Sequence, residues 1–260
     1  MDGGICSQMV QYLCGRYFMD AGINVLFDLR FFVENGKDWD GKFERKFELV
    51  EMFPSLPFSA LTMRQSNFYR RWFSYGHNGS VLPNPQMIKR TTYFEGYYSL
   101  PQSIDFRLMV SNVFNLQTMC EMPTHIPQNN DGINCAVHVR RGDLANRNLG
   151  GYEMVSDGYF FSAINDVVKR YGNVMLYFFS DEPEYVLCNI CPNVQQPYKM
   201  MQGNKAYVDL ALVAECDVVI GSQGSFGTMA ARLNGKSDLY IPSPETEQGF
   251  MIKNFSKEVF

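Results

Sequence analysis

The sequence predicts an α/β fold built on a parallel sheet, and three observations lead there. From residue 133 onward, short apolar runs alternate with segments of helical periodicity, the grammar of strand, crossover and strand. Residues 174–179 are apolar without a break, as a strand buried on both faces requires. Short polar or glycine-bearing turns follow three of the apolar runs, and ligands of such sheets sit beyond the carboxyl ends of the strands.

The chain opens on Gly3-Gly4 and a helical stretch, residues 8–19, followed by a predicted strand at residues 24–29. A strand is expected ahead of the glycine pair, so either the sheet lacks it or the chain begins late. Residues 31–122 are aromatic-rich and of mixed type, with helix predicted near residues 106–114. Within them the run Phe68-Tyr69-Arg70-Arg71-Trp72-Phe73 is read as core packing in preference to a membrane or sugar contact. Residues 123–132 combine proline with polar turn formers and mark a linker between a first domain, 1–125, and a second, 126–260. Beyond it, residues 133–139 form a strand. Asp157 opens a helix whose Phe160, Phe161, Ile164, Val167, Val168 and Tyr171 recur at helical spacing until Gly172 stops it. After the strand at 174–179 come a helix at 207–215, a strand at 218–221, a helix at 225–233 and a last short strand at 238–241.

Composition limits the functions open to this fold. The chain has 260 residues, 46% of them hydrophobic and 15% aromatic, enough apolar surface to exclude disorder. A net charge of -4 leaves no electrostatic footprint for a nucleic-acid duplex or for anionic lipid, so any phosphate must be held by a local site. His77, His125 and His138 are scattered without metal-ligand spacing, and no metal is expected. No apolar run reaches the ~18 residues of a membrane span, and Met1-Asp2-Gly3-Gly4 lacks the features of a signal peptide. The expected compartment is a reducing cytoplasm, where seven cysteines, Cys188 and Cys191 included, read as buried free thiols.

Three strand-end segments carry the chemistry. In His138-Val139-Arg140-Arg141-Gly142-Asp143, two adjacent arginines leave a buried strand in different directions, so one can fork onto a phosphate while the other anchors the loop. The alternative is a solvated Arg–Asp cluster. In Ser180-Asp181-Glu182-Pro183 a carboxylate directly after a strand can accept from a nucleobase edge or a ribose, or can simply cap the next helix. In Gly221-Ser222-Gln223-Gly224-Ser225-Phe226-Gly227 small residues precede a helix start and suit an anion, or form a tight turn without a ligand. Taken together on one rim, they describe a nucleoside-diphosphate site without a metal. The G-x-G-x-x-G spacing of a nicotinamide enzyme is not met.

At these residues the chain resembles the bacterial α-1,2-fucosyltransferases, the inverting family that includes the blood-group H-type enzymes. Their H-x-R-R-G-D motif is met by His138 to Asp143, and their glycine-pair opening is similar to Gly3-Gly4-Ile5-Cys6-Ser7-Gln8-Met9. Ser7 stands where the family usually has Asn, and the tryptophan pair after the late serine motif is replaced by Thr228-Met229. The resemblance implies a GT-B-like fold, two Rossmann-like halves facing a cleft. It also implies metal-independent transfer of L-fucose from GDP-fucose to the 2-hydroxyl of a terminal galactose, as in bacterial O-antigen synthesis. GDP-fucose is then a substrate and no cofactor is required. The acceptor that the resemblance implies is a galactose-terminated, lipid-linked glycan at the inner membrane face, with peripheral association of the enzyme there as the matching expectation.

By this resemblance Arg140 binds the pyrophosphate and Arg141 supports its loop through Asp143. Ser225 and the Phe226 amide cradle the β-phosphate, Ser222 and Gly224 belong to the same GDP-fucose-binding turn, and Asp181 or Glu182 reads guanine or ribose. The first half, with Gly3, Gly4, Ser7 and Gln8, serves mainly the acceptor. Asp143 and Glu153 are the alternatives for the base, while His138 is read as a structural histidine beside the donor. A non-catalytic sugar-nucleotide-binding protein and a fucosyltransferase of another linkage are the rival readings.

Overall fold

The computed structural model describes residues 1–37, 41, 44–76, 79–142, 154–235 and 237–254. They form two compact units, Met1–Cys120 and Glu121–Phe260.

The first unit begins with helix α1 (Ile5–Met19), entered through Gly3 at φ +73° and Gly4 in extended conformation. Ile5, Met9, Tyr12, Leu13 and Phe18 are buried on α1. Gly15 admits the Phe27 ring so closely that a Cβ would stand 2.6 Å from it. Helices α2 (Arg30–Glu34), α3 (Leu49–Met52) and α4 (Met63–Phe73) follow. Strands β1 (Ser74–Gly76) and β2 (Tyr93–Glu95) pair in parallel, and α5 (Phe106–Val113) comes after them. The strand expected at residues 24–29 reduces to one bridge, between Phe27 and Ala60. Asp28 is the cause: its carboxylate accepts from the Arg30 amide at 2.9 Å and turns the chain into α2.

Two polar side chains organise this unit. Gln8 is fully buried; its amide nitrogen donates to the carbonyls of Gly3 (3.1 Å) and Lys46 (2.8 Å). Its oxygen accepts from the amides of Glu48 (2.9 Å) and Leu49 (3.2 Å), so α1 is stapled to the segment that opens α3. Ser66 donates to the Asp28 carboxylate and accepts from the Arg30 guanidinium at 2.9 Å. Holding Ser66 inward fixes the rotation of α4 and corrects the reading of residues 68–73 as core. Phe68 is 54% and Trp72 64% exposed, and Ser66 is the buried residue of that helix.

The second unit runs β3 (Ile133–Val139), α6 (Asp157–Tyr171), β4 (Val174–Ser180), α7 (Pro183–Tyr185), β5 (Tyr198–Met201) and α8 (Ala206–Ala214). It continues with β6 (Val218–Gly221), α9 (Phe226–Asn234), β7 (Asp238–Pro242) and β8 (Phe250–Asn254). The sheet order is β5-β4-β3-β6-β7-β8, parallel except for the β7–β8 pair. The strand at 238–241 is therefore not the last, and β5 is a further addition. On β3 and its neighbours, Cys135, Val137, Val139, Leu176, Phe178, Val218 and Ile220 are buried. They share one core with Tyr159, Phe160, Ala163, Ile164 and Val167 of α6. Residues Val208 and Leu210 to Ala214 of α8 are all buried, and the Asn234 amide caps that helix by donating to the Ala214 carbonyl at 2.5 Å.

None of the seven cysteines is bridged in a disulfide; Cys6, Cys135, Cys191 and Cys216 are buried, Cys14 and Cys120 half-buried, and Cys188 exposed, against expectation. Among the described residues, no helix is long and apolar enough to cross a membrane. Removing the Gln8 staple orphans four backbone groups. Gln8→Ala is expected to lower stability by about 2–4 kcal/mol, measured by denaturant unfolding.

Candidate active site

The parallel register sets His138 of β3 beside Phe179 of β4 and Gly221 of β6. The segments that follow these three strands therefore leave one edge of the sheet side by side. They carry Arg140-Arg141, Asp181-Glu182 and Ser222 to Phe226.

Where the β3–β6 ladder stops, Ser222 continues it. Its amide (3.1 Å) and hydroxyl (2.5 Å) both donate to the His138 carbonyl, and the hydroxyl oxygen accepts from the Arg140 amide at 2.8 Å. Arg140 is thus directed over Gly224, whose φ of +107° favours glycine. A Cβ at Gly224 would stand 2.9 Å from the Arg140 Nη1. Exposed Ser225 caps α9 by position, with no side-chain cap bond, and Phe226 begins the helix. A guanidinium and the unsatisfied amides of a helix start occupy one short loop, a pairing suited to an anion. The helix start is itself pinned, since a Cβ on Gly227 would lie 3.1 Å from the Gly221 Cα.

His138 lies half-buried, its ring stacked on Phe226 at 4.6 Å between centroids and 16° between planes. Its Nδ1 is enclosed and has no hydrogen-bond partner among the described residues. Burial, and then the charge of Arg140, lower its pKa to about 4, so the ring is neutral above about pH 5.

Arg141 turns the other way. Its amide donates to the Asp181 carboxylate at 2.9 Å and its Nε to Glu182 at 3.3 Å. Its guanidinium carbon lies 3.2 Å from the centre of the Tyr185 ring, whose hydroxyl donates to Asp157 at 2.8 Å. Burial raises the Asp181 pKa, opposed by amide hydrogen bonds from residues 141 and 142 and by the Arg140 charge. Ser180 completes the turn, donating to the Val139 carbonyl (2.8 Å) and accepting from the Glu182 amide (3.0 Å). Both carboxylates are thus engaged in holding the arginine loop.

The edge of the sheet gathers His138, Arg140, Arg141, Asp181, Glu182, Ser222, Gly224, Ser225 and Phe226. Asp143 and Glu153 lie outside the described residues. Gly3, Gly4, Ser7 and Gln8 stand at the start of α1 in the first unit, where Gln8 is a staple and a Cβ on Gly4 would lie 3.8 Å from the Arg45 guanidinium.

Sequence reasoning missed two residues. The Tyr159 hydroxyl reaches the carbonyls of Gly221 (2.7 Å) and Tyr240 (3.1 Å), bracing the ends of β6 and β7 from beneath. Asp209, in the first turn of α8, is raised by burial to about 6 despite a 2.8 Å hydrogen bond from Asn204. A lone carboxylate in an otherwise apolar helix was the signal available for it.

The family model described as Glycosyl transferase family 11 matches residues 64–259. The chain belongs to glycosyl transferase family 11. The matched span contains every strand-end residue gathered at the sheet edge. No curated protein matches the chain. It is similar to a solved structure titled "Crystal structure of NodZ alpha-1,6-fucosyltransferase soaked with GDP-fucose". That match has 16% identity and a TM-score of 0.36 over 47% of this chain and 42% of that one, less than half the length of either.

At the opposite end of the sheet a concavity of about 460 Å³ is lined by His125, Asn134, Glu215 and Asp217, among others. Glu215 is committed to His125 (2.6 Å) and the Ile126 amide (2.7 Å), and Asp217 to the Asn134 amide (2.9 Å). These groups clamp the chain where it enters the sheet.

Gly224→Ala pushes a methyl into the Arg140 guanidinium at a backbone angle that alanine resists. Glycosyl transfer is expected to fall about 10–100-fold, a barrier of about 1–3 kcal/mol, in steady-state assays. Asp209 holds its proton up to about pH 6 when folded, well above the ordinary range of an aspartate. Its stabilising contribution is present at low pH and lost as pH rises through about 6. Asp209→Asn should therefore flatten the pH dependence of Tm between about 4 and 6 and stabilise the protein at pH 7 by about 1–3 kcal/mol.

Proposed function

We propose that this family 11 glycosyltransferase transfers L-fucose from GDP-β-L-fucose to the 2-hydroxyl of a terminal galactose, inverting the fucose anomeric carbon to give an α-1,2 linkage. The observation that carries the reading is the Arg140 guanidinium seated on Gly224 at the start of α9. The H-x-R-R-G-D resemblance at residues 138–143 and the family 11 match support the donor and linkage.

In the proposed reaction the bond between fucose C1 and the β-phosphate oxygen breaks as C1 bonds to the galactose 2-oxygen. The hydroxyl proton passes to a carboxylate, Asp143 or Glu153, and GDP leaves with the bonding electrons. Negative charge then grows on the diphosphate, where a preorganised guanidinium and helix-start amides stabilise it more than they stabilise the intact donor. Arg140 takes the pyrophosphate, and Ser225 with the Phe226 amide takes the β-phosphate. Arg141 holds the loop, leaving the Asp181–Glu182 turn to meet guanine or ribose with its remaining acceptors. No metal or cofactor enters this scheme, so turnover is expected to survive EDTA. The acceptor is a galactose-terminated, lipid-linked glycan of the O-antigen type, met at the cytoplasmic face of a bacterial membrane, and residues around Gly3, Gly4 and Ser7 serve it.

The test is a donor and acceptor screen with the full chain, reading linkage by NMR. Transfer of fucose from GDP-fucose to the galactose 2-position is expected; transfer from UDP-sugars, or to another position, overturns the corresponding half of the proposal. Arg140→Ala should cost about 2–5 kcal/mol in transition-state binding, a loss of at least about 30-fold in kcat/KM, with thermal unfolding unchanged.

A further inference from the structure

The exposed face of α4 points to a second interaction surface, independent of the donor and linkage assignments. At 100° per residue, Arg64, Phe68, Arg71 and Trp72 fall within one arc of the helix, opposite buried Ser66. All four are exposed, and Phe68 and Trp72 have more than half their surface in solvent. Residues 63–73 include three arginines and no carboxylate, in a chain of net charge -4. Of the three, Arg70 is spent on Glu95 at 2.5 Å. Arg71 sits 5.2 Å from the centre of the Trp72 ring, so a cation and an indole project from the surface as a unit. The helix cannot rotate to hide the aromatics, because Ser66 is tied to Asp28 and Arg30.

A face of this composition fits an interface that is apolar a few ångströms down and negatively charged at its surface. Indole and phenyl rings favour the headgroup level of a bilayer, and arginines attract anionic lipid. We infer that the Arg64–Phe68–Arg71–Trp72 face of α4 docks this protein on anionic lipid membranes. The positive charge of the face complements such a surface, whereas a second copy would oppose arginine to arginine. Two arginines and two rings make a weak, reversible contact that responds to salt.

The test uses the full chain and extruded vesicles of phosphatidylcholine, with or without phosphatidylglycerol. Trp39 and Trp72 are the two tryptophans, so Trp39→Phe makes Trp72 the reporter. Binding to the anionic vesicles is expected to be tighter by roughly tenfold or more, with a blue shift of Trp72 emission and loss of binding in high salt. Arg64→Glu with Arg71→Glu should abolish binding, and Trp72→Ala should weaken it, both with unchanged far-ultraviolet circular dichroism and glycosyl transfer to a soluble acceptor. Absence of sedimentation with anionic vesicles overturns the inference. So does binding that the charge-reversed variant retains, or self-association in solution that Trp72→Ala abolishes. Because the vesicles contain no glycan or nucleotide, failure here is separate from failure of the fucosyl-transfer proposal.

Discussion

The Ser222 hydroxyl joins two strand ends at the point where their backbone ladder runs out, and the geometry around Arg140 depends on it. A parallel pair offers no turn to hold its ends together, so each strand leaves the sheet free unless a side chain intervenes. Here one buried oxygen donates to the last aligned carbonyl of β3 and accepts from the first amide beyond it. That fixes the direction of residue 140, and the next residue, by the alternation of extended backbone, points the opposite way. One arginine is thereby delivered to Gly224 and the other to the carboxylates and ring of the neighbouring turn. Below them α9 packs closely on β6 at Gly221 and Gly227, and the Tyr159 hydroxyl bridges β6 to β7.

The second unit was largely legible because its strands are buried on both faces. Uninterrupted runs such as residues 174–179 have few other ways to hide, and Gly172 marks the end of α6 as plainly as its φ of +76° requires. The strand β5 escaped notice because two of its four residues are exposed at the edge of the sheet, so Tyr198-Lys199-Met200-Met201 has no apolar signature. In the first unit, pattern failed where a polar side chain overrode it. Residues 24–29 have the hydrophobicity of a strand, but Asp28 ends the extension after a single bridge. Residues 68–73 have the aromatic content of a core, but Ser66 decides which side of α4 faces inward, and hydroxyl bonding between distant residues leaves no periodic trace.

The candidate site divides in the same way. Arg140, Arg141, Asp181 and the glycine-serine turn were visible because each directly follows a strand, and parallel register then assembles strand ends without further information. What each group does was less visible. That Glu182 and Asp181 spend acceptors on Arg141 follows from a handedness of turn that spacing does not encode. Tyr159 and Asp209 sit on helices whose periodicity is satisfied without them, so a bracing hydroxyl and a proton-holding carboxylate look like ordinary helix residues.

Keeping His138 uncharged shapes how the sheet edge responds to acidification. An imidazole that titrated in the usual range would add a second cation beside Arg140 between neutral and mildly acidic conditions, and grip on any bound anion would drift with the medium. Stacked on Phe226 and enclosed at Nδ1, the ring stays neutral down to about pH 5. Over that range the imidazole stacks and fills space without adding charge, so it acts at the sheet edge as an aromatic spacer rather than as a second cation.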